Sequence, residues 1–167
     1  IAGRKLAIEI ADSEGKPDIA RREMERMVRL QNAPLVFGCD ISAATSSAAQ
    51  FAEASRTPLF NAGAVSSEII DRHYHWYFTQ QITSSDNADA VTAFLKTISE
   101  PANGLKNQKL GLLFEDSPNG ASTADQIRKL FKKDGLTPVI DISYNRADRN
   151  LLPTMKKVQE AGPNILV

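Results

Sequence analysis

The sequence predicts an α/β protein built from two doubly wound parallel-sheet lobes. Short apolar runs alternate with amphipathic helical segments along nearly the whole chain. Parallel strands need such crossovers, so the alternation implies parallel sheets, with right-handed connections and helices on both faces. The alternation breaks at a polar, hydroxyl-rich stretch, "FTQQITSS" from Phe78 to Ser85, which separates two runs and therefore two sheets. Apolar runs also stop abruptly in small or hydroxyl residues, at Ser42–Ser47 and at Asn61-Ala62-Gly63.

Residues 4–10 alternate Leu6, Ile8 and Ile10 with Arg4, Lys5, Ala7 and Glu9, which predicts a strand. Pro17 opens a helix over 17–31, with Asp18 in its first turn and Ala20, Met24, Met27 and Val28 on one face. Residues 34–38 read as a strand, and Ser42–Ser55 as a helix whose alanine-rich face suits close packing. Short strands are expected at 58–61 and 75–80. Asp86 caps a helix over 87–98 with Val91, Phe94, Leu95 and Ile98 on its stripe. The turn-rich "SEPANGLKN" fills 99–107. Leu110–Phe114 is apolar enough to be buried on both faces. A helix over 120–133 turns Ala124, Ile127, Leu130 and Phe131 inward and ends at Gly135. Val139–Ile142 is a strand. Asp148 or Asn150 caps a helix to Glu160, Gly162-Pro163 stops it, and Ile165–Val167 is the next strand. Lobe one is then 1–80, the interlobe crossing 81–85, and lobe two 86–167.

Length and composition bound the function. The chain has 167 residues, enough for one ordinary domain or two small lobes, and 42% hydrophobic residues, enough for a core. Its 20 basic and 20 acidic side chains cancel, and no basic stripe is visible, so nucleic acid is not an expected partner. No apolar run approaches the roughly 20 residues of a membrane span. Ile1-Ala2-Gly3-Arg4 carries neither an initiator Met nor signal-peptide regions, and Asn164–Val167 reads as a strand just begun. The polypeptide is expected to be a piece of something longer.

Open α/β sheets bind ligands beyond the carboxyl ends of their strands. Small residues there let a ligand approach main-chain N–H groups, at Ser42 and at Gly63. A helix starting at Ser42 adds unpaired donors and its positive dipole end, and Ser42 and Thr45 sit where that N-terminus would point outward. This is an anion site, for a carboxylate as well as a phosphate. The plainer alternative is that Ser42 is an N-cap alone, a role compatible with binding.

Six stretches in order resemble a family: "AGRKLAIEIADSEGKPDIA", "LVFGCDISAATSSA", "RTPLFNAGAVSSEI", "YFTQQITSSDNADAV", "KLGLLFEDSPNG" and "DRNLLPTMKKVQEAGPNILV". The likeness is to type I periplasmic solute-binding proteins, nearest the branched-chain amino acid (Leu/Ile/Val) group of ABC transporters, and it covers the whole chain. It implies two lobes with the ligand in the cleft between them, present here as a fragment of both lobes. Lobe one lacks its first strand and its returning segment; lobe two is its first half. The implied function is the extracytoplasmic solute-binding component of an ABC importer, a non-catalytic protein without a cofactor, in the periplasm or membrane-associated outside the cell. Its partners are a small amino acid or organic acid and the membrane permease; a fragment that exposes normally covered surface also has self-association open to it.

The ligand-binding residues carried over are Ser42, Ala43, Gly63, Ala64, Val65 and Asn119. Ser42 falls on the hydroxyl that takes the ligand carboxylate. Gly63 offers its carbonyl to an ammonium. Val65 stands where the family has Thr, leaving its backbone N–H, with Ser66 as a substitute hydroxyl. Asn119 replaces an aromatic lid, so a small carboxylate-bearing solute is better implied than leucine itself. Asp40, where an apolar wall is expected, either faces the ligand or is a solvated loop residue.

Other candidates carry less. His73 and His75 share a face if extended, but no third zinc ligand is evident and metal is not expected. Trp76 and Phe78 read as core. Glu115-Asp116 reads as a carboxylate pair capping the next helix. Cys39 lacks a neighbouring base and reads as a small buried hydrophobe. Two rivals stand beside the importer component. A cytoplasmic ligand-sensing regulator uses the same two-lobe fold. An enzyme would need a cofactor fingerprint or an activated nucleophile, and neither is present.

Overall fold

In the computed structural model, which describes Gly3, 5–98 and 104–167, helix α1 (Pro17–Leu30) starts where Pro17 takes a first-turn position. A missing N–H costs nothing there. Ala20 and Met24 form its buried face. Strand β1 (Val36–Phe37), helix α2 (Ser42–Ser55), strand β2 (Leu59–Phe60), the one-turn helix α3 (Ser67–Ile70) and strand β3 (Tyr77–Phe78) follow. Parallel pairing sets the order β1-β2-β3, with Val36 opposite Leu59 and Leu59 opposite Tyr77. Leu59 is fully buried with Met24, Ala48, Phe51 and Ala52. Alternation sends Phe37, Phe60 and Phe78 to the other face, where their rings stack at 5.2 Å centroid spacing and stay substantially exposed. Phe78 is therefore a surface ring, not core.

Helix α4 (Ser84–Ile98), a 3-10 turn at Leu105–Asn107, strand β4 (Leu110–Glu115), helix α5 (Pro118–Lys133), strand β5 (Ile140–Tyr144), helix α6 (Leu152–Ala161) and strand β6 (Ile165–Leu166) complete the chain. They form a second parallel sheet, ordered β5-β4-β6. β4 is central, which explains its apolar run: Leu110, Gly111 and Leu112 are all buried. Phe131, Ile127 and Ala124 of α5 pack on it with Leu95 and Ala88 of α4. Two compact units result: Ile1–Ala64 with Ile69–Gln81, and Val65–Glu68 with Ile82–Val167.

Several expectations change. Residues 5–10 form no strand, and Leu6, Ile8 and Ile10 are exposed. A period-two pattern assigns side chains to a face, but a strand also needs a partner edge. Among the described residues none pairs there, and an Arg26–Glu9 ion pair at 3.4 Å ties the segment to α1. Arg4 lies outside the described residues, as do 99–103 of the predicted turn. His73 sits in a turn at φ 52°, its amide donating to the Ile70 carbonyl, so it shares no strand face with His75. The buried stripe of α4 is Ala88, Thr92 and Leu95; Phe94 and Ile98 face outward. Ala88 and Thr92 let α4 approach α5 closely, and Phe94 and Ile98 lie off that line.

Asp86 is not the N-cap of α4. Thr83 and Asp86 form a reciprocal capping box: the Thr83 amide and hydroxyl each donate to Asp86 Oδ2 at 2.7 Å, and the Asp86 amide donates to Thr83 Oγ1. Nor do Glu115 and Asp116 cap α5; Ser117 does, accepting from the Gly120 amide at 3.1 Å. Asn150 rather than Asp148 serves α6, accepting from the Leu152 amide.

Candidate functional site

In the first unit, α2 begins directly after the loop that leaves β1. Its N-cap position is Ile41, with extended backbone and no side chain capping the helix. The first-turn amides of Ser42, Ala43 and Ala44 have no intrahelical acceptor, because the helix has no carbonyl four residues earlier to offer them. Ser42 is 6% exposed, and among the described residues its hydroxyl has no hydrogen-bond partner. Ser42 is thus the first helical residue rather than the cap. Thr45 does not point outward: it is fully buried, and its hydroxyl donates to the carbonyls of Cys39 and Ile41. No acidic side chain lies in the first turn of α2 itself.

The loop after β2 is organised by Asn61, which is 7% exposed. Its Oδ1 accepts from the amides of Gly63 (3.1 Å) and Ala64 (2.8 Å). Its Nδ2 donates to the Ala64 carbonyl (2.6 Å) and to Thr79 Oγ1 (2.8 Å). The Gly63 amide is therefore not bare, contrary to expectation; an Asx turn consumes it. Ala64 is buried with both backbone groups bonded. What approaches Gly63 is Asp40: a side chain at Gly63 would overlap Asp40 Oδ1 and sit 3.0 Å from its Cγ. Asp40 is exposed on the loop that leads into α2, so the α2 N-terminus, Asp40 and Gly63 are neighbours within this unit.

In the second unit, the Val65 carbonyl accepts from the Ser84 amide (2.8 Å) and hydroxyl (3.0 Å). Ser84, fully buried, lies 3.5 Å from Asn119 Oδ1. Ser66 is 2% exposed and donates to the Pro118 carbonyl, so it is no free substitute hydroxyl. Asn119 is exposed in the first turn of α5. Gly120 beside it is forced by packing, since a Cβ there would run into the Glu115 carbonyl.

His75 is committed to Glu53, with Nδ1 at 3.1 Å. Among the described residues no group of three or more His, Cys, Asp or Glu is placed to hold a metal, and no helix is long and apolar enough to cross a membrane. Burial pushes the Cys39 thiol up, which suits packing rather than nucleophilic chemistry. Asn61 and Ser84 escaped the sequence-based site. Asn61 had a signal, an Asx residue two before a glycine at a strand end. Ser84 had none, because its partners are remote in sequence.

A family model described as "Periplasmic binding protein" matches residues 1–167. The "Leu/Ile/Val-binding protein homolog 8" of Brucella abortus is 29% identical over 170 residues, covering 100% of this chain and 42% of that protein. A solute-binding protein of an ABC transporter from Rhodopseudomonas palustris, solved with 3,4-dihydroxy benzoic acid, superposes with TM-score 0.85 at 20% identity, covering 99% of this chain and 44% of that one. The branched-chain amino acid transporter substrate-binding protein LivJ of Streptococcus pneumoniae, solved with isoleucine, gives 0.83 at 17% identity, covering 99% and 45%. The chain thus spans less than half the length of the relatives it matches.

Proposed function

The chain belongs to the periplasmic binding protein family, and we propose that it is part of the extracytoplasmic solute-binding component of an ABC importer. Its solute is a small carboxylate-bearing molecule, an amino acid or related organic acid. The observation that carries this is the uncapped start of α2. It pairs first-turn amides at Ser42 and Ala43 with the hydroxyl of Ser42, a residue 6% exposed, which has no hydrogen-bond partner among the described residues. An anion is what such a group of donors accepts. In the first unit Ser42 and Ala43 take the carboxylate and the Gly63 carbonyl lines the neighbouring loop, while Ala64, its backbone groups held by Asn61, supports that loop. In the second unit the Val65 backbone and the Asn119 amide are the proposed contacts. No nucleophile, metal or cofactor takes part; binding is the whole chemistry.

Binding of this kind acts by population shift. A solute that prefers one conformation stabilises it, and the permease reads that conformation. The location is the periplasm or the outer face of the cell membrane. The test is isothermal calorimetry on the full-length protein against amino acids and aromatic acids. At least one is expected to bind, and Ser42→Ala is expected to weaken it about tenfold, one charge-assisted hydrogen bond. Equal affinity for the variant would remove Ser42 from the site.

A further inference from the structure

We propose that Asp40 determines solute specificity at this site, selecting acids that also carry an N–H or O–H donor over plain monocarboxylates. The inference rests on the solute-binding role proposed above.

Asp40 lies two residues before the first residue of α2, close enough for a carboxylate to cap the helix, yet no side chain caps it. Its carboxylate is instead laid against Gly63, in space that any larger residue would fill. Among the described residues it has no ion-pair or hydrogen-bond partner. Two opposed groups therefore stand side by side in the first unit. The α2 amides and the unpartnered hydroxyl of Ser42, a residue 6% exposed, attract a carboxylate. The Asp40 carboxylate repels one. A solute whose only polar group is a carboxylate meets both and leaves Asp40 unsatisfied. A solute with an amino or hydroxyl group beside its carboxylate satisfies both at once, its donor reaching Asp40 while its oxygens face the helix. The absence of a side chain at Gly63 leaves room for the Asp40 carboxylate at this strand end.

The experiment is calorimetry on the full-length protein, wild type and Asp40→Asn, with L-leucine and with isocaproate, its counterpart lacking the amino group. Wild type is expected to prefer leucine. Asp40→Asn is expected to bind leucine more weakly and isocaproate more tightly, narrowing the ratio by about tenfold or more. Binding of isocaproate by the variant alone supports the proposal equally. An unchanged ratio, with either probe still bound, overturns the role of Asp40 and leaves solute binding standing. Silence of both probes with both proteins overturns this proposal; the solute-binding reading falls only if the amino acids and aromatic acids named above are silent too.

Discussion

Asn61 places both ends of its amide in hydrogen bonds while almost wholly buried. Asn61→Ala strands two amides and a carbonyl in the loop after β2, so the variant should lose about 2–3 kcal/mol, read as a lower denaturant midpoint at unchanged slope. The two crowded glycines should respond differently. At Gly63 the obstacle is the far end of the Asp40 side chain, which can swing away; at Gly120 it is the Glu115 main chain. Gly120→Ala should therefore cost about 1–3 kcal/mol and Gly63→Ala clearly less, by thermal melts of the pair. The small residues at these strand ends were legible in the sequence as places of close approach. The identity of the approaching group was not, because Asp40 and Gly63 meet only once β1 and β2 lie side by side.

At the scale of elements, α4 shows how local chemistry fixes a boundary. Thr83→Ala removes the acceptor of the Asp86 amide and a donor to its carboxylate, and should cost about 1 kcal/mol of stability by chemical denaturation. The hydrogen bond from the Thr83 amide, and then that from its hydroxyl, hold the Asp86 carboxyl below its ordinary value of 3.8. A group depressed in the folded state stabilises fully above its unfolded value and loses that contribution as pH falls through the folded one. The start of α4 should thus weaken only below about pH 4, and Asp86→Asn should flatten that acid limb in circular dichroism. Helices α1, α2, α5 and α6 were legible from proline, glycine and apolar spacing to within a residue or two. α3 was not, since one turn leaves no periodicity. The predicted strand at residues 4–10 failed for the opposite reason: a clear pattern with no described partner to pair with.

At the scale of the whole molecule, zero net charge and an isoelectric point near 6.9 leave little electrostatic repulsion between copies. The stacked rings of Phe37, Phe60 and Phe78 add exposed apolar surface. Solubility of this chain should pass through a minimum near neutral pH and recover about two units to either side, by light scattering across a pH series. Rising salt should deepen the association if the rings drive it, since screening weakens charge and spares apolar contact.

The sequence by itself determined that strands alternate with helices, that two parallel sheets result, and that a helix begins at Ser42 with two alanines after it. These are properties of neighbours in the chain, and periodicity records them. Only the tertiary structure decided that Asp40 covers Gly63 and that Ser84 bonds Val65. Those pairings join residues up to 23 positions apart, as Glu53 and Trp76 also do, and distance along the chain carries no trace of them until the sheets set the register.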